Sequence, residues 1–245
     1  AELDRRFAED VMVPGFIEHH VHPSLAAITM NADVIAIEDW MLPGKMTLGV
    51  RDRRGYIDRL RNAEQNQPNA NTPLITWGFH HYFHGNLTRQ DLDAISSSRP
   101  ILVIHRSFHE FIMNTPGLAY FGITSEFVEG LDKEARQYAS FDNGHFSEQG
   151  AVSILPNVMQ HLAAPNLLIA GLKKTEKYLH QNGVTLIANP GAMLLKSVQD
   201  AKNYVFGDVD TPFRSYFIPS GMFLAEHYEP DALVAETKKL MSWGS

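Results

Sequence analysis

From about residue 150 the sequence alternates regularly between helix and strand patterns, and this alternation restricts the fold more than any other feature. The strands are short apolar, β-branched runs, and the helices carry apolar residues three and four positions apart. The predicted order is helix 165–182, strand 184–188, helix 192–205, strand 213–218 and helix 231–243. Strands separated by helices pair in parallel through right-handed crossovers. The sequence therefore predicts an α/β fold.

The part of the sequence before residue 150 carries predicted elements with less regular spacing. The apolar run over 11–17 contains a Pro-Gly turn and predicts a buried strand, which continues to His22 and stops at Pro23. Thr88 is expected to cap a helix in which Asp91 occupies the third position. The remaining predictions are strands over 73–79 and 100–105, helices over 52–63 and 114–122, and connecting structure over 126–147.

Composition narrows the class of protein and of partner. The 245 residues include 21 Lys and Arg against 28 Asp and Glu, which gives a net charge of −7 with neutral histidine. A nucleic-acid or anionic-membrane binder needs a basic face to offset phosphate charge, so we expect neither partner. The absence of cysteine excludes disulfides and thiolate zinc sites. No apolar run is long enough to cross a bilayer, and no signal peptide opens the chain. These observations leave the compartment open, and a cytoplasmic location is the expectation.

Several of the 12 histidines are concentrated in short segments. In the first of these, His20 and His22 are two residues apart, so along a strand they point to the same side, which Glu18 shares. Two imidazoles held in this way can bind one metal ion. Two unrelated histidines at the end of a strand remain the alternative interpretation.

The segment from Val13 to His22 resembles the first-strand signature of the amidohydrolase superfamily, in which a Pro-Gly-Phe/Leu-Ile-Asp run leads into His-x-His. Glu18 occupies the position where the family usually has Asp. The resemblance implies a TIM (β/α)8 barrel whose active site lies at the carboxyl ends of its strands. It also implies that His20 and His22 bind a divalent metal, which we expect to be zinc.

Four later segments narrow the resemblance to long-chain amidohydrolase family 3, a branch that includes N-substituted formamide deformylases and exoenzyme-regulator-like proteins. These segments are Trp77–His80, Leu87–Asp93, Arg99–His109 and Met113–Leu118. The sequence departs from the branch at Phe108, where the branch has Gly, and at Thr115, where it has Ser. Phe108 is expected to narrow whatever space that glycine leaves.

The same resemblance implies that Trp77, His105, Ser107 and His109 contact the substrate. A buried histidine bonded to a backbone carbonyl is the alternative interpretation of His105. The other histidine-rich segment is interpreted as a loop of which at most one side chain lines a pocket: His80, His81 and His84.

Two further segments concern carboxylates. Gly144–Ala151 resembles the family's Gly-x-Leu-x-Glu-x-Ala, which makes Glu148 a candidate metal ligand or bridging carboxylate. An exposed loop carboxylate is the alternative interpretation of Glu148. Asn182–Asn189 resembles a family strand that ends in Asp, and Asn189 occupies that position, so a carboxylate is missing.

Three strands of the implied barrel can be identified, over 11–18, 184–189 and 213–218. Because eight strands close a barrel, we expect a fragment: a partial barrel with a large α+β insertion after its first strand. The expected divisions are the first barrel strand in 1–23, the insertion in 24–162, and the second and third β/α units in 163–245. The later metal ligands and the catalytic Asp would be missing, so no catalytic residue is assigned. Exposed sheet edges would favour homo-oligomers.

The sequence thus predicts a metal-dependent hydrolase that cleaves C–N bonds in a small-molecule amide or formamide. The chain is expected to be a fragment of that enzyme and to be inactive by itself. An inactive α/β binding or regulatory module with structural histidines is the alternative. A third interpretation is a complete small metalloprotein that uses His20, His22, Glu148 and one of His105 or His109.

Overall fold

A computed structural model describes residues 5–69, 72–192, 196–208 and 210–241. The strands are β1 (Phe16–Glu18), β2 (Asp33–Val34), β3 (Trp40–Leu42), β4 (Lys45–Thr47), β5 (Leu74–Phe79), β6 (Ile101–His105), β7 (Glu110–Met113), β8 (Ala139–Ser140), β9 (His145–Ser147), β10 (Val184–Ala192) and β11 (Arg214–Pro219). The helices are α1 (Pro23–Asn31), α2 (Arg53–Gln65), α3 (His81–His84), α4 (Arg89–Asp93), α5 (Thr115–Tyr120), α6 (Ser125–Glu129), α7 (Lys133–Gln137), α8 (Glu148–Leu162), α9 (Pro165–Gln181), α10 (Lys196–Phe206), α11 (Gly221–His227) and α12 (Pro230–Met241).

The chain forms two compact units. The first unit comprises Ala1–Pro23 together with Glu176–Ser245, and the second comprises Ser24–Thr175. The first unit contains a parallel sheet of three strands in the order β1-β10-β11. These are the three strands predicted over 11–18, 184–189 and 213–218, and the helices predicted after the second and third of them are α10 and α12. Parts of both helix predictions, at 193–195 and 242–243, lie outside the described residues.

The prediction that the run over 11–17 forms a buried strand was wrong in two respects. Only Phe16 and Ile17 of this run belong to β1, and the whole run is exposed, including Val11 and Met12. Among the described residues β1 pairs only with β10, at the edge of its sheet, and no described element covers the side chains of the run. An apolar run favours a strand, but it cannot specify that other elements will cover it.

The second unit is built around a sheet of six strands in the order β2-β5-β6-β7-β9-β8. Strands β2, β5 and β6 run parallel, whereas β7 is antiparallel to both β6 and β9. Strands β3 and β4 form a separate hairpin. Residues 126–147, interpreted as connecting structure, contain most of α6 and the whole of α7, β8 and β9, so that interpretation was wrong. Elements of two to five residues are too short to establish a period in the sequence.

Strand β6 is buried on both faces, which explains its continuous apolar sequence. Leu102 and Ile104 belong to one apolar core, to which α1, α5 and α8 contribute. Ile101 and Val103 belong to a second core, to which α2 and α4 contribute. The six-stranded sheet is therefore covered on both sides by helices.

The described residues establish a mixed α/β fold, and none of the sheets they form closes into a barrel. The partial TIM barrel, and the interpretation of 24–162 as an insertion into it, stay predictions. None of the described helices combines the length and the apolar character needed to cross a membrane.

Candidate functional site

In the first unit, His20 and His22 follow β1 and their rings lie side by side. The ring centroids are 5.2 Å apart and the planes are nearly perpendicular. Backbone pairing with β10 continues past the end of β1, since the Val21 amide donates to the Ala188 carbonyl. A hydrogen bond of 3.2 Å joins His22 Nδ1 to Asn189 Oδ1. The two imidazoles are therefore held close together, as their spacing predicts.

His20 and His22 supply fewer ligands than the protein normally provides to a catalytic metal ion. Catalytic zinc sites have about three. Glu18 accepts a hydrogen bond from the His20 amide, and the buried Asn189 supplies an amide where the resemblance implies a carboxylate. In the part of the chain that the structure describes, neither His20 nor His22 belongs to a group of three His, Asp or Glu side chains whose ligand atoms lie within 4.8 Å of one another. Metal binding by this pair stays a prediction.

A second cluster lies at one edge of the six-stranded sheet. Strands β5 and β6 are parallel, so their carboxyl ends meet at the same edge, where β7 begins because it runs antiparallel to β6. His81 follows β5, His105 ends β6, and Glu110 begins β7. The topology thus collects three ionisable side chains that are up to 29 residues apart in the sequence.

Glu110 lies at the centre of this cluster, with its side chain 10% exposed. His81 Nε2 lies 2.7 Å and His145 Nε2 lies 2.5 Å from its carboxylate oxygens. Ile112 of β7 is opposite His145 of β9, so Glu110 is the diagonal neighbour of His145 on the same face of the sheet. Among the described residues, these three side chains form the one group of three ligand atoms that lie within 4.8 Å of one another. We refer to His81, Glu110 and His145 as the edge triad.

Hydrogen bonds determine the charge of the edge triad. Burial alone would raise the pKa of Glu110, but the hydrogen bonds from His145 and His81 outweigh it and lower that pKa to about 2. The contact with Glu110 raises the pKa of His81 above its ordinary value, against the opposing effect of burial. Glu110 is therefore ionised at neutral pH and places a negative charge between two imidazoles.

His105 and Ser107, two of the predicted substrate contacts, lie beside the edge triad. The His105 ring stacks on that of His81 with a centroid distance of 5.6 Å and an interplanar angle of 27°. Its Nδ1 is 2.8 Å from Ser107 Oγ. The substrate contacts of these two residues stay predictions. Burial lowers the pKa of His105, and the negative charge of Glu110 offsets this lowering only in part. A neutral imidazole is thus next to His81.

His109 and Glu148 contact each other on the surface. His109 Nδ1 is 3.3 Å from a Glu148 carboxylate oxygen, and the two side chains are 67% and 60% exposed. Glu148 begins α8 and is not part of the edge triad. Glu148 is thus an exposed carboxylate, as its alternative interpretation expects. Its role as a metal ligand stays a prediction.

Trp77 is buried in the core of the second unit, where it contacts Trp40 and Phe108. Phe108 has a φ of 61°, a left-handed conformation that favours glycine. This conformation gives a physical reason for a glycine at that position in the family that the sequence resembles. The substrate contacts of Trp77 and His109 stay predictions.

The segment 80–84 was predicted to be a loop, but residues 81–84 form the short helix α3. His84 is buried, with Nε2 2.8 Å from the Val50 carbonyl oxygen and Nδ1 accepting a hydrogen bond from the His80 amide. Its role is therefore structural. His81, in contrast, belongs to the edge triad.

Two members of the edge triad, Glu110 and His145, are residues to which the sequence assigned no role. Glu110 did carry a signal, because a carboxylate within the apolar segment Glu110–Met113 requires a partner when it is buried. His145 carried none, since the pairing of β9 with β7 is visible only in the sheet.

A cleft of about 690 Å³ lies elsewhere in the second unit, between α2 and the β3–β4 hairpin. Asp33, Thr47 and Arg59 are among the residues that line it. None of the predicted site residues and none of the edge triad is among its lining residues, so the cleft provides no support for their roles.

Comparison with known proteins gives a likeness of fold. No protein family model and no curated protein matches the sequence. An uncharacterized metal-dependent hydrolase from Pyrococcus horikoshii OT3 is 14% identical, with a TM-score of 0.58 over 87% of this chain and 38% of that chain. An uncharacterized metal-dependent hydrolase from Pyrococcus furiosus is also 14% identical, with a TM-score of 0.56 over 87% of this chain and 39% of that chain. The chain shares a fold with part of these hydrolases and spans about two fifths of their length.

Proposed function

We propose that this chain is part of a metal-dependent hydrolase that cleaves C–N bonds in small amides or formamides. The observation that supports the proposal is the close arrangement of His20 and His22 after a strand of a parallel sheet, in a chain whose fold is similar to that of two metal-dependent hydrolases. The C–N bond class comes from the resemblance of the sequence to long-chain amidohydrolase family 3.

The donor atoms fit a metal of the zinc class, since imidazole nitrogen is a preferred ligand of zinc. An amide oxygen only accepts hydrogen bonds, so His22 must carry a proton on Nδ1 to donate to Asn189 Oδ1. The Nε2 atom of His22 is then the nitrogen that could bind the metal. A bound zinc ion would polarise the carbonyl of the substrate and lower the pKa of a water molecule bound to the ion. Asn189 thus acts as a positioning residue for His22.

With two imidazoles we expect weak zinc binding and no turnover by this chain alone. The test is to measure hydrolysis of N-formyl and N-acyl amines by the chain, together with its zinc content. The expected results are no turnover and a zinc content that falls in His20→Ala but not in His19→Ala, which changes the exposed neighbouring histidine. Robust turnover would contradict the fragment interpretation, and unchanged zinc in His20→Ala would contradict the role of the pair.

A binding or regulatory module without hydrolytic activity is the second candidate. It is favoured by Asn189, which lies beside His22 and brings no negative charge to a metal. In that case His20 and His22 are structural and neither substitution changes the metal content. Zinc analysis of the two variants therefore separates the two functions.

A further inference from the structure

We propose that the edge triad of His81, Glu110 and His145 is a second metal site, which binds a divalent ion of the zinc class in the second unit of the chain. Its ligands come from β7, β9 and the helix α3 that follows β5, and all of them lie outside the first unit. The proposal does not depend on the proposed function, because it uses no residue of the His20 and His22 pair.

The donor set is that of a three-ligand zinc site. Two imidazole Nε2 atoms and one carboxylate lie within 4.8 Å of one another. Two nitrogens with one oxygen suit Zn²⁺ and its neighbours Co²⁺ and Ni²⁺, whereas Mg²⁺ and Ca²⁺ prefer oxygen ligands alone. The chemistry of the residues therefore selects the class of ion.

One ligand of the site is buried and the other two are partly exposed. The Glu110 side chain is 10% exposed, while those of His81 and His145 are 41% and 34% exposed. Three ligands around a tetrahedral ion are separated by roughly 3.3 Å, so both imidazoles must withdraw slightly from the carboxylate when the ion enters. Because both rings are partly exposed, they have solvent to move into.

The surrounding residues fix the orientation of His81. Its ring lies against the edge of Phe79, with a centroid distance of 4.9 Å, and stacks on His105 on another side. Outer residues of this kind hold a metal ligand in a defined orientation. His105 is in this respect a positioning residue.

A purely structural explanation makes a different prediction. In that explanation Glu110 is a buried carboxylate that is hydrogen-bonded by two imidazoles, and a divalent ion has no particular affinity for the group. In the metal site, the ion replaces the protons that the imidazoles donate to Glu110. The two explanations are separated by whether metal affinity depends on all three side chains.

The experiment titrates the metal-depleted full chain with ZnCl2 near neutral pH and follows binding by calorimetry, with Co²⁺ absorption in the visible range as a second readout of the ligands. The variants are His81→Ala and His145→Ala, the double variant His20→Ala/His22→Ala, and the control His180→Ala, which changes an exposed histidine of α9. Circular dichroism establishes that each variant is folded. His81→Ala removes a partly exposed side chain, so it remains informative if His145→Ala does not fold.

The expected result is about one equivalent of zinc that persists in the double variant and in His180→Ala. In His81→Ala and His145→Ala the affinity falls more than the roughly 10–100-fold that outer-residue substitutions cause, and the visible Co²⁺ bands of that site disappear. Equal zinc affinity in His81→Ala and the unsubstituted chain would overturn the site.

The failure of this proposal is distinguishable from failure of the proposed function. If the double variant loses all bound zinc while His81→Ala keeps it, the first unit is the only zinc site, so the edge triad is not a metal site and the proposed function is supported. If His81→Ala loses zinc, the edge triad is confirmed as a site. If, in addition, the double variant binds as much zinc as the unsubstituted chain, the role of His20 and His22 in the proposed function is contradicted.

Discussion

Glu110 and His145 are diagonal neighbours on two antiparallel strands, with Glu110 Oε1 2.5 Å from His145 Nε2. A buried carboxylate is unfavourable unless charged or hydrogen-bonded partners compensate for its loss of water. His145 and His81 provide that compensation. The pairing of β7 with β9 therefore both stabilises the sheet edge and assembles the edge triad.

This relationship predicts the effect of neutralising the carboxylate in the metal-depleted chain. Glu110→Gln keeps the shape of the side chain but removes its charge, so we expect the free energy of unfolding to fall by about 1.5–3 kcal/mol. Urea unfolding measures the change. Glu129→Gln, at an exposed position of α6, is the matched control, for which we expect a change within about 0.5 kcal/mol. Equal effects of the two substitutions would show that the charge of Glu110 contributes nothing to stability.

The left-handed backbone conformation of Phe108 is expected to make a measurable contribution to the free energy of unfolding. Its φ of 61° is costly for a residue with a Cβ atom and is free of that cost for glycine. Phe108→Gly and Phe108→Ala both remove the ring that packs near Trp77, but only Ala keeps the strained backbone. We therefore expect the Gly variant to be more stable than the Ala variant by about 1 kcal/mol in thermal or urea unfolding. An Ala variant as stable as the Gly variant would contradict a left-handed conformation at this position.

Asn114 connects several backbone groups in the interior of the second unit. Its Oδ1 accepts from the Ile101 and Gly117 amides, and its Nδ2 donates to the Ser96 and Arg99 carbonyls. Asn114→Asp keeps the acceptor, loses both donors and directs a carboxylate towards two carbonyl oxygens. The expected loss is about 3 kcal/mol of unfolding free energy.

The control for this substitution is Asn86→Asp, which makes the same chemical change at an exposed position. Urea unfolding of both variants near neutral pH tests the prediction. A loss in Asn114→Asp no greater than that in Asn86→Asp would mean that the four hydrogen bonds are not formed in solution.

His84 predicts a pH dependence of stability. Burial lowers the pKa of His84 below its ordinary value of 6.5, and Nδ1 must be unprotonated to accept from the His80 amide. The folded state therefore binds this proton less readily than the unfolded state. Its contribution to stability is present above the unfolded pKa and is lost as the pH falls through the folded pKa.

The measurement compares the unfolding free energy at about pH 7 and about pH 5, a range that covers the titration of histidine. In His84→Gln this particular loss on acidification disappears, so the variant is expected to depend less steeply on pH than the unsubstituted chain. His180→Gln, at an exposed position, keeps the original slope. The same slope in both variants would contradict a buried, neutral His84.

Much of the local structure was predictable because short-range chemistry determines it. Thr88 and Asp91 form the reciprocal hydrogen bonds of a capping box at the start of α4, as their spacing predicts. Strands β5 and β6 were predicted from apolar runs that are buried on both faces of the sheet. The proximity of His20 and His22 followed from the alternation of side chains along an extended chain.

The edge triad was not predictable in the same way. His81, Glu110 and His145 come from three separate segments, and the sequence carried no period that would identify β9. His105 next to them was identified only through a family resemblance, which gave it a substrate contact and not a position beside His81.

The sequence by itself determined the alternation of strands and helices, the helix caps and the side of the chain to which neighbouring side chains point, because these depend on interactions between residues a few positions apart. The tertiary structure decided which apolar runs are covered, as the exposed run before β1 shows, and which charged groups meet at the edge of the larger sheet. The pairing of strands distant in the sequence is a competition among many alternative contacts, and its outcome is set by burial and hydrogen bonding over the whole unit.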